Sequence, residues 1–187
     1  MRWCVSGRSP QLDETICKRL QGAFILGAQR IDQQDVRFTL NQLVEIAVRA
    51  LSPGTNDPFT ALACIDHLGA ALGRLAAREW PSPERAGAAG RTRIITEATP
   101  FAAILDATVG PIHDYGATHP LVLCRLLDAL VGVAAHAIAP ERQAAAPRQI
   151  EQIAERGTRL PDEIGRTQVA AHARQALQQT TTQIAGV

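Results

Sequence analysis

Apolar positions recur along most of the chain at intervals of three and four, the period of a helix with one buried face. Ser9-Pro10 opens a first helix that runs to about Arg30, with Ile16, Leu20, Phe24, Gly27 and Ile31 at helical spacing. A second is expected from about Val36 to Leu51. On a 100° wheel Val36, Leu40, Leu43, Val44, Ala47, Ala50 and Leu51 fill one broad side, and Asn41, Gln42, Glu45 and Arg49 the other. So wide an apolar arc predicts a central helix. Ser52-Pro53-Gly54-Thr55 breaks it, with Gly54 expected to supply a positive φ. Asp57-Pro58 then opens a third helix, capped by the Asp57 carboxylate, with Ala61, Ile65, Leu68, Leu72 and Leu75 as its stripe and an end near Trp80.

Residues 81 to 90 carry two prolines and two glycines without periodicity and read as an exposed connection. Residues 91 to 96 are strand-like, as is Trp3-Cys4-Val5; the two either pair with each other or one pairs with another chain. Thr99-Pro100 starts a fourth helix with Phe101, Leu105, Thr108 and Ile112 on one face, which Gly110-Pro111 should kink or end. His119-Pro120 starts a fifth, with Leu123, Leu126, Leu127, Leu130 and Ala134 inward. Ile150 and Ile153 mark a sixth, closed by Gly157. Pro161-Asp162 opens a seventh, which carries Val169, Ala173, Ala176 and Leu177. The last two are polar and rich in alanine, so they are expected on the outside of the bundle or against another subunit, with fraying from Thr180. The fold class that follows is all-α: one domain over residues 1 to 187, a bundle of six or seven helices with at most a short two-stranded β element around helices two to five.

Composition narrows the functions. With 46% hydrophobic and 20% charged residues the chain can bury a core, and aromatics at 4% leave that core to Leu, Ile, Val and Ala. A net charge of +1 without a run of like charges argues against a nucleic-acid partner. Cys4, Cys17, Cys64 and Cys124 form no CxxC pair, which fits free thiols in a reducing cytoplasm. Residues 1 to 8 lack the apolar core of a secretory signal. The most apolar later stretch, 126 to 139, holds Asp128 and His136 and is shorter than the roughly 20 residues that span a bilayer, so insertion of this chain into a membrane is not expected. The five histidines show neither HxxxH nor HExxH spacing, and GxSxG, P-loop and GxGxxG motifs are missing; no metal, cofactor or catalytic residue is assigned. His113, Asp114 and Tyr115 read as a helix-end surface.

The densest set of specific polar residues lies between Gln29 and Ala61, QRIDQQDVRFTLNQLVEIAVRALSPGTNDPFTA. This stretch resembles a family of uncharacterised bacterial predicted membrane proteins whose soluble C-terminal domain carries a pattern close to RTxxQDxxFGxxQLVDIAxRALSPGxNDPxTA. Arg30, Gln34, Asp35, Phe38, Gln42, Leu43, Arg49, Ser52, Pro53, Gly54, Asn56, Asp57, Pro58 and Thr60 stand at pattern positions. Ile31, Thr39 and Glu45 depart from it. The resemblance implies a domain held at the cytoplasmic face of the inner membrane by helices that this sequence does not contain, and it implies no activity, substrate or cofactor.

Two accounts of the stretch stand side by side. In the structural one, Asp57 caps a helix, Ser52 and Asn56 close a turn, and Glu45 and Arg49 form an i to i+4 surface pair. In the functional one, Arg30, Asp35, Gln42, Glu45, Arg49, Ser52, Asn56, Asp57 and Thr60 converge beside the positively polarised start of helix three, as a ligand or interaction site. The function expected is a non-enzymatic sensing, assembly or regulatory module, partnered by itself or by a membrane-protein segment, with a small anion as a possible ligand. The alternative is an enzyme acting on a small anionic substrate at the Arg30 to Thr60 cluster.

Overall fold

The computed structural model describes residues 14–22, 35–80, 82–86, 90, 92–96 and 99–185. The chain forms two compact units, one of residues 1–35 and 80–98, the other of residues 36–79 and 99–187.

In the first unit, α1 (Glu14–Gly22) carries an exposed Lys18–Glu14 ion pair of 2.9 Å one turn apart. The rest of the first expected helix lies outside the described residues. Strand β1 (Glu84–Ala86) pairs antiparallel with β2 (Thr92–Ile95), with a bulge between Arg85 and Ala86. The short strand was legible, but its partner was not: it comes from the segment read as an unstructured connection, with Gly90 at φ +70 in the turn between them. Trp3-Cys4-Val5 lies outside the described residues.

The second unit is helical: α2 (Val36–Ala50), α3 (Pro58–Ala76), α4 (Phe101–Tyr115), α5 (Pro120–His136), the single turn α6 (Pro140–Gln143), α7 (Ala145–Gly157) and α8 (Glu163–Ala185). Close approaches fix the helix directions. Asp66, Gly69 and Gly73 of α3 face Arg125, Ala129 and Gly132 of α5, so these two run parallel. Gly165 and His172 of α8 face Pro120 and Asp128 of α5, which makes α8 parallel to them. Asp106 and Asp114 of α4 meet Arg148 and Arg156 of α7, again in parallel. The bundle is therefore three αα-hairpins, α2–α3, α4–α5 and α7–α8, whose tight corners, residues 51–57, 116–119 and 158–162, all lie at one end.

The centre is α5, which packs against α3, α4, α7 and α8 and buries Leu123, Leu127, Leu130 and Val133 almost completely. The expected centrality of α2 is corrected. Among the described residues its main neighbours are α3 and α4, and Val36 and Ile46, one from the apolar arc and one beside it, stay about half exposed. An apolar arc wider than the covering helices leaves its edges in water.

Pro111 does not end α4, which continues to Tyr115. A residue before proline resists the helical region because its Cβ meets the pyrrolidine ring, and Gly110 has no Cβ. The carbonyl that Pro111 cannot serve belongs to Ala107, a residue open enough for water to replace the lost donor. The last two helices are also better anchored than their polarity implied. Helix α7 buries Ala145, Ala146, Gln149, Ile150, Ile153 and Gly157 at intervals of one, three and four, against α4, α5 and α8. Helix α8 does not stop at Thr180, whose buried hydroxyl donates to the Ala176 carbonyl at 3.0 Å, but reaches Ala185. The core is tight: the void among α3, α4 and α5 measures about 10 Å³ and is apolar, so it offers no ligand a place.

Candidate functional site

The corner between α2 and α3 is held by its own backbone. Thr55 and Asn56 N–H groups donate to the Ser52 carbonyl at 3.0 and 2.8 Å, and the Asp57 N–H reaches back to the Ala50 carbonyl at 2.8 Å. The Ser52 hydroxyl donates to the Arg49 carbonyl at 2.7 Å, closing the end of α2. The left-handed residue is Asn56, at φ 46, and not Gly54. Asparagine tolerates that region because its short amide can bond locally.

Asp57 caps α3. Its Oδ1 accepts the Phe59 and Thr60 N–H groups, both at 3.1 Å, and its Oδ2 accepts the Thr60 hydroxyl at 2.6 Å. The Thr60 hydroxyl, then the Thr60 N–H and the Phe59 N–H, hold the carboxyl below its ordinary range against a small desolvation effect. Its folded pKa is lower than its unfolded one, so the cap's contribution is complete above the unfolded value and is lost as pH falls through the folded value. Asp57→Asn, which keeps a capping oxygen, is expected to stay folded near pH 7 and to flatten the acid limb of stability below about pH 4. Thermal melts at stepped pH check this, and an unchanged acid limb would refute it.

This cap decides what the start of α3 can bind. Pro58 has no N–H, and the Phe59 and Thr60 N–H groups already point at Asp57, so the first-turn donors that would hold an external anion are occupied.

The remaining expected residues divide. Gln42, Glu45 and Arg49 lie on the outward side of α2, all three exposed. The expected Glu45–Arg49 ion pair is not formed, and among the described residues no ion pair joins Arg49 to Asp57. Side-chain rotation in water separates charges that helical spacing merely allows to meet. Arg30 lies outside the described residues, and Asp35 belongs to the first unit. The corner thus assembles Ser52, Asn56, Asp57 and Thr60 into one hydrogen-bonded turn beside an open polar helix face.

A second feature of this end was not foreseen. Phe59 in the first turn of α3 is 75% exposed, Leu121 in the first turn of α5 49%, Ile164 in the first turn of α8 81%, and Tyr115 at the last turn of α4 55%. The parallel course of α3, α5 and α8 brings these apolar side chains to the end that carries the three corners. Each was legible as a single apolar residue off its helix stripe, but their common placement depends on long-range packing.

His113 also departs from expectation: it is buried, with Nδ1 3.2 Å from Asp114 Oδ1. Burial is the main influence and pushes its pKa down, while Asp114, itself paired with Arg156 at 2.5 Å, pulls it up. Cys64 and Cys124 are free and buried, and burial raises both thiols. Among the described residues no group of three His, Cys, Asp or Glu could hold a metal, and no helix is long and apolar enough to cross a membrane.

The family described as "Predicted membrane protein (DUF2254)" matches residues 2–131. Uncharacterized proteins of Mycobacterium bovis and Mycobacterium tuberculosis are 39% identical to this chain over 152 residues, 81% of this chain and 29% of theirs. The chain therefore spans less than a third of the length of these curated relatives. No solved structure matches it.

Proposed function

Because the chain belongs to the DUF2254 family of predicted membrane proteins, we propose that it is a non-enzymatic assembly or regulatory module at the cytoplasmic face of the membrane, docking through its corner end onto the membrane-embedded part of a family member. The carrying observation is the exposure of Phe59, Tyr115, Leu121 and Ile164 at the end that carries the three corners, with Arg49, which has no ion pair among the described residues, exposed in the last turn of α2. Several large apolar side chains exposed at one end of the bundle, set among polar ones, favour a protein partner there. The occupied amides at the start of α3 favour such a surface over a small-anion site. The buried free thiols Cys64 and Cys124 fit a reducing compartment.

The test is site-specific photo-crosslinking in bacteria that produce a full-length family member carrying this domain. A photoreactive residue at Phe59 or Ile164 is expected to give adducts within the membrane-embedded part, and one at the exposed Gln178 of α8 is not. Arg49→Met should leave stability within about 0.5 kcal/mol, as for an exposed side chain with no ion pair among the described residues, while reducing adduct yield. Equal yields from all three positions, or an Arg49→Met variant changed in stability alone, would overturn the proposal.

A further inference from the structure

A different face of the bundle carries a second surface. Between α3 and α5 lies an open trough of about 510 Å³. Its floor is Gly69, Ala70, Gly73, Ala129 and Gly132, and a Cβ on Gly69 would come within 3.0 Å of the Ala129 Cβ, so the two helices touch almost backbone to backbone. His136 lies at the Gly73 end of this floor, and the small residues before it admit the ridge of another helix at close range. Charges rim it: Asp66 and Arg74 on α3, Arg125 and Asp128 on α5. Arg125 lies 3.5 Å from Asp66, and Asp128 is held by His172 at 2.7 Å, whereas Arg74 has no ion pair among the described residues.

The order of these groups on α3 is its own complement. Asp66 and Arg74 stand four residues to either side of the exposed Ala70, about 6 Å along the axis in each direction. A second α3 laid antiparallel, with a two-fold axis through Ala70, sets Asp66 of each copy beside Arg74 of the other. The same operation brings each Arg125 and Asp128 to the same level, so each half of the contact holds two carboxylates and two guanidiniums. An isologous interface requires this self-complementarity, and a surface made for an unrelated partner does not.

We propose that the α3–α5 trough is a homodimer interface, in which a second copy of this chain docks antiparallel about Ala70 with reciprocal Asp66–Arg74 pairs. The corner-end reading is independent of it.

Sedimentation equilibrium of the full chain tests the proposal, with far-UV circular dichroism confirming that each variant folds. The wild type is expected to dimerise and Ala70→Trp to be monomeric, because the indole fills the point where the helices must touch. Asp66→Arg and Arg74→Asp, each alone, place like charges together and should weaken self-association at least about tenfold. Mixed in equal amounts, the two charge variants should form a heterodimer. The guanidinium introduced on one copy then faces the carboxylate introduced on the other, while the native Arg74 faces the native Asp66. The three substituted side chains are exposed, and the Asp66–Arg125 pair is a surface one, so folding is expected to survive. A wild-type monomer at about 100 µM, a dimer indifferent to Ala70→Trp, or a mixture of charge variants that stays monomeric would each overturn the proposal.

Discussion

Replacing Arg142 with methionine is expected to lower the free energy of unfolding by about 3 kcal/mol. Arg142 lies in the single turn α6, is 7% exposed, and donates from Nη1 to the Ala76 carbonyl at 2.8 Å and the Arg78 carbonyl at 2.5 Å. These carbonyls are at the end of α3, where the last turn has acceptors without intrahelical partners and a partial negative charge. The guanidinium answers both needs, and the Glu141 carboxylate at 3.8 Å adds a weaker attraction. Methionine keeps much of the volume but takes this donor away from the buried Ala76 carbonyl and the part-buried Arg78 carbonyl. Arg142→Lys should fall between, since one ammonium cannot reproduce the planar fork. Urea unfolding followed by circular dichroism reads the loss as a lower midpoint with an unchanged slope. A midpoint within error of wild type for Arg142→Met would show that water reaches the end of α3.

Leu127→Ala should cost a similar amount or more, about 3 to 4 kcal/mol. Leu127 is fully buried on α5, the helix that touches α3, α4, α7 and α8, so few of its neighbours can relax into the space without disturbing another interface. Lost transfer energy and an unfilled cavity therefore add. Leu121 on the same helix is half exposed, and Leu121→Ala should cost well under half as much. The pair of melts compares one side-chain change at a closed and an open position, and equal losses would contradict the central placement of α5. Against a typical domain stability of about 5 to 15 kcal/mol, either the Arg142 or the Leu127 loss is a large share of the whole.

The helices themselves could be read from periodicity and capping because both are local. Asp57-Pro58 and His119-Pro120 start α3 and α5 where proline at the first position and the preceding residue say they should. Which helix lies at the centre could not be read, since α2 and α5 are both apolar and only the number of covering neighbours separates them. Arg142 carries no local mark of its role, as its acceptors lie more than sixty positions away. The β1–β2 pairing was missed because three exposed residues, Glu84 to Ala86, have no alternation to detect. At the candidate site the turn was legible and its chemistry mostly right, with the left-handed residue at Asn56 in place of Gly54. Helical spacing suggested a Glu45–Arg49 pair, but spacing allows contact without causing it. The shared placement of the exposed apolar residues at the corner end was out of reach, because they belong to three hairpins whose common orientation is a property of the packed bundle.

The three hairpins also shape how the chain reaches this structure. Each pairs helices separated by seven residues or fewer, so the first contacts form between near neighbours and the search for them is short. The packing of α3 and of α8 on α5 is what joins the hairpins to one another, so the middle of α5 carries the contacts that are longest in sequence.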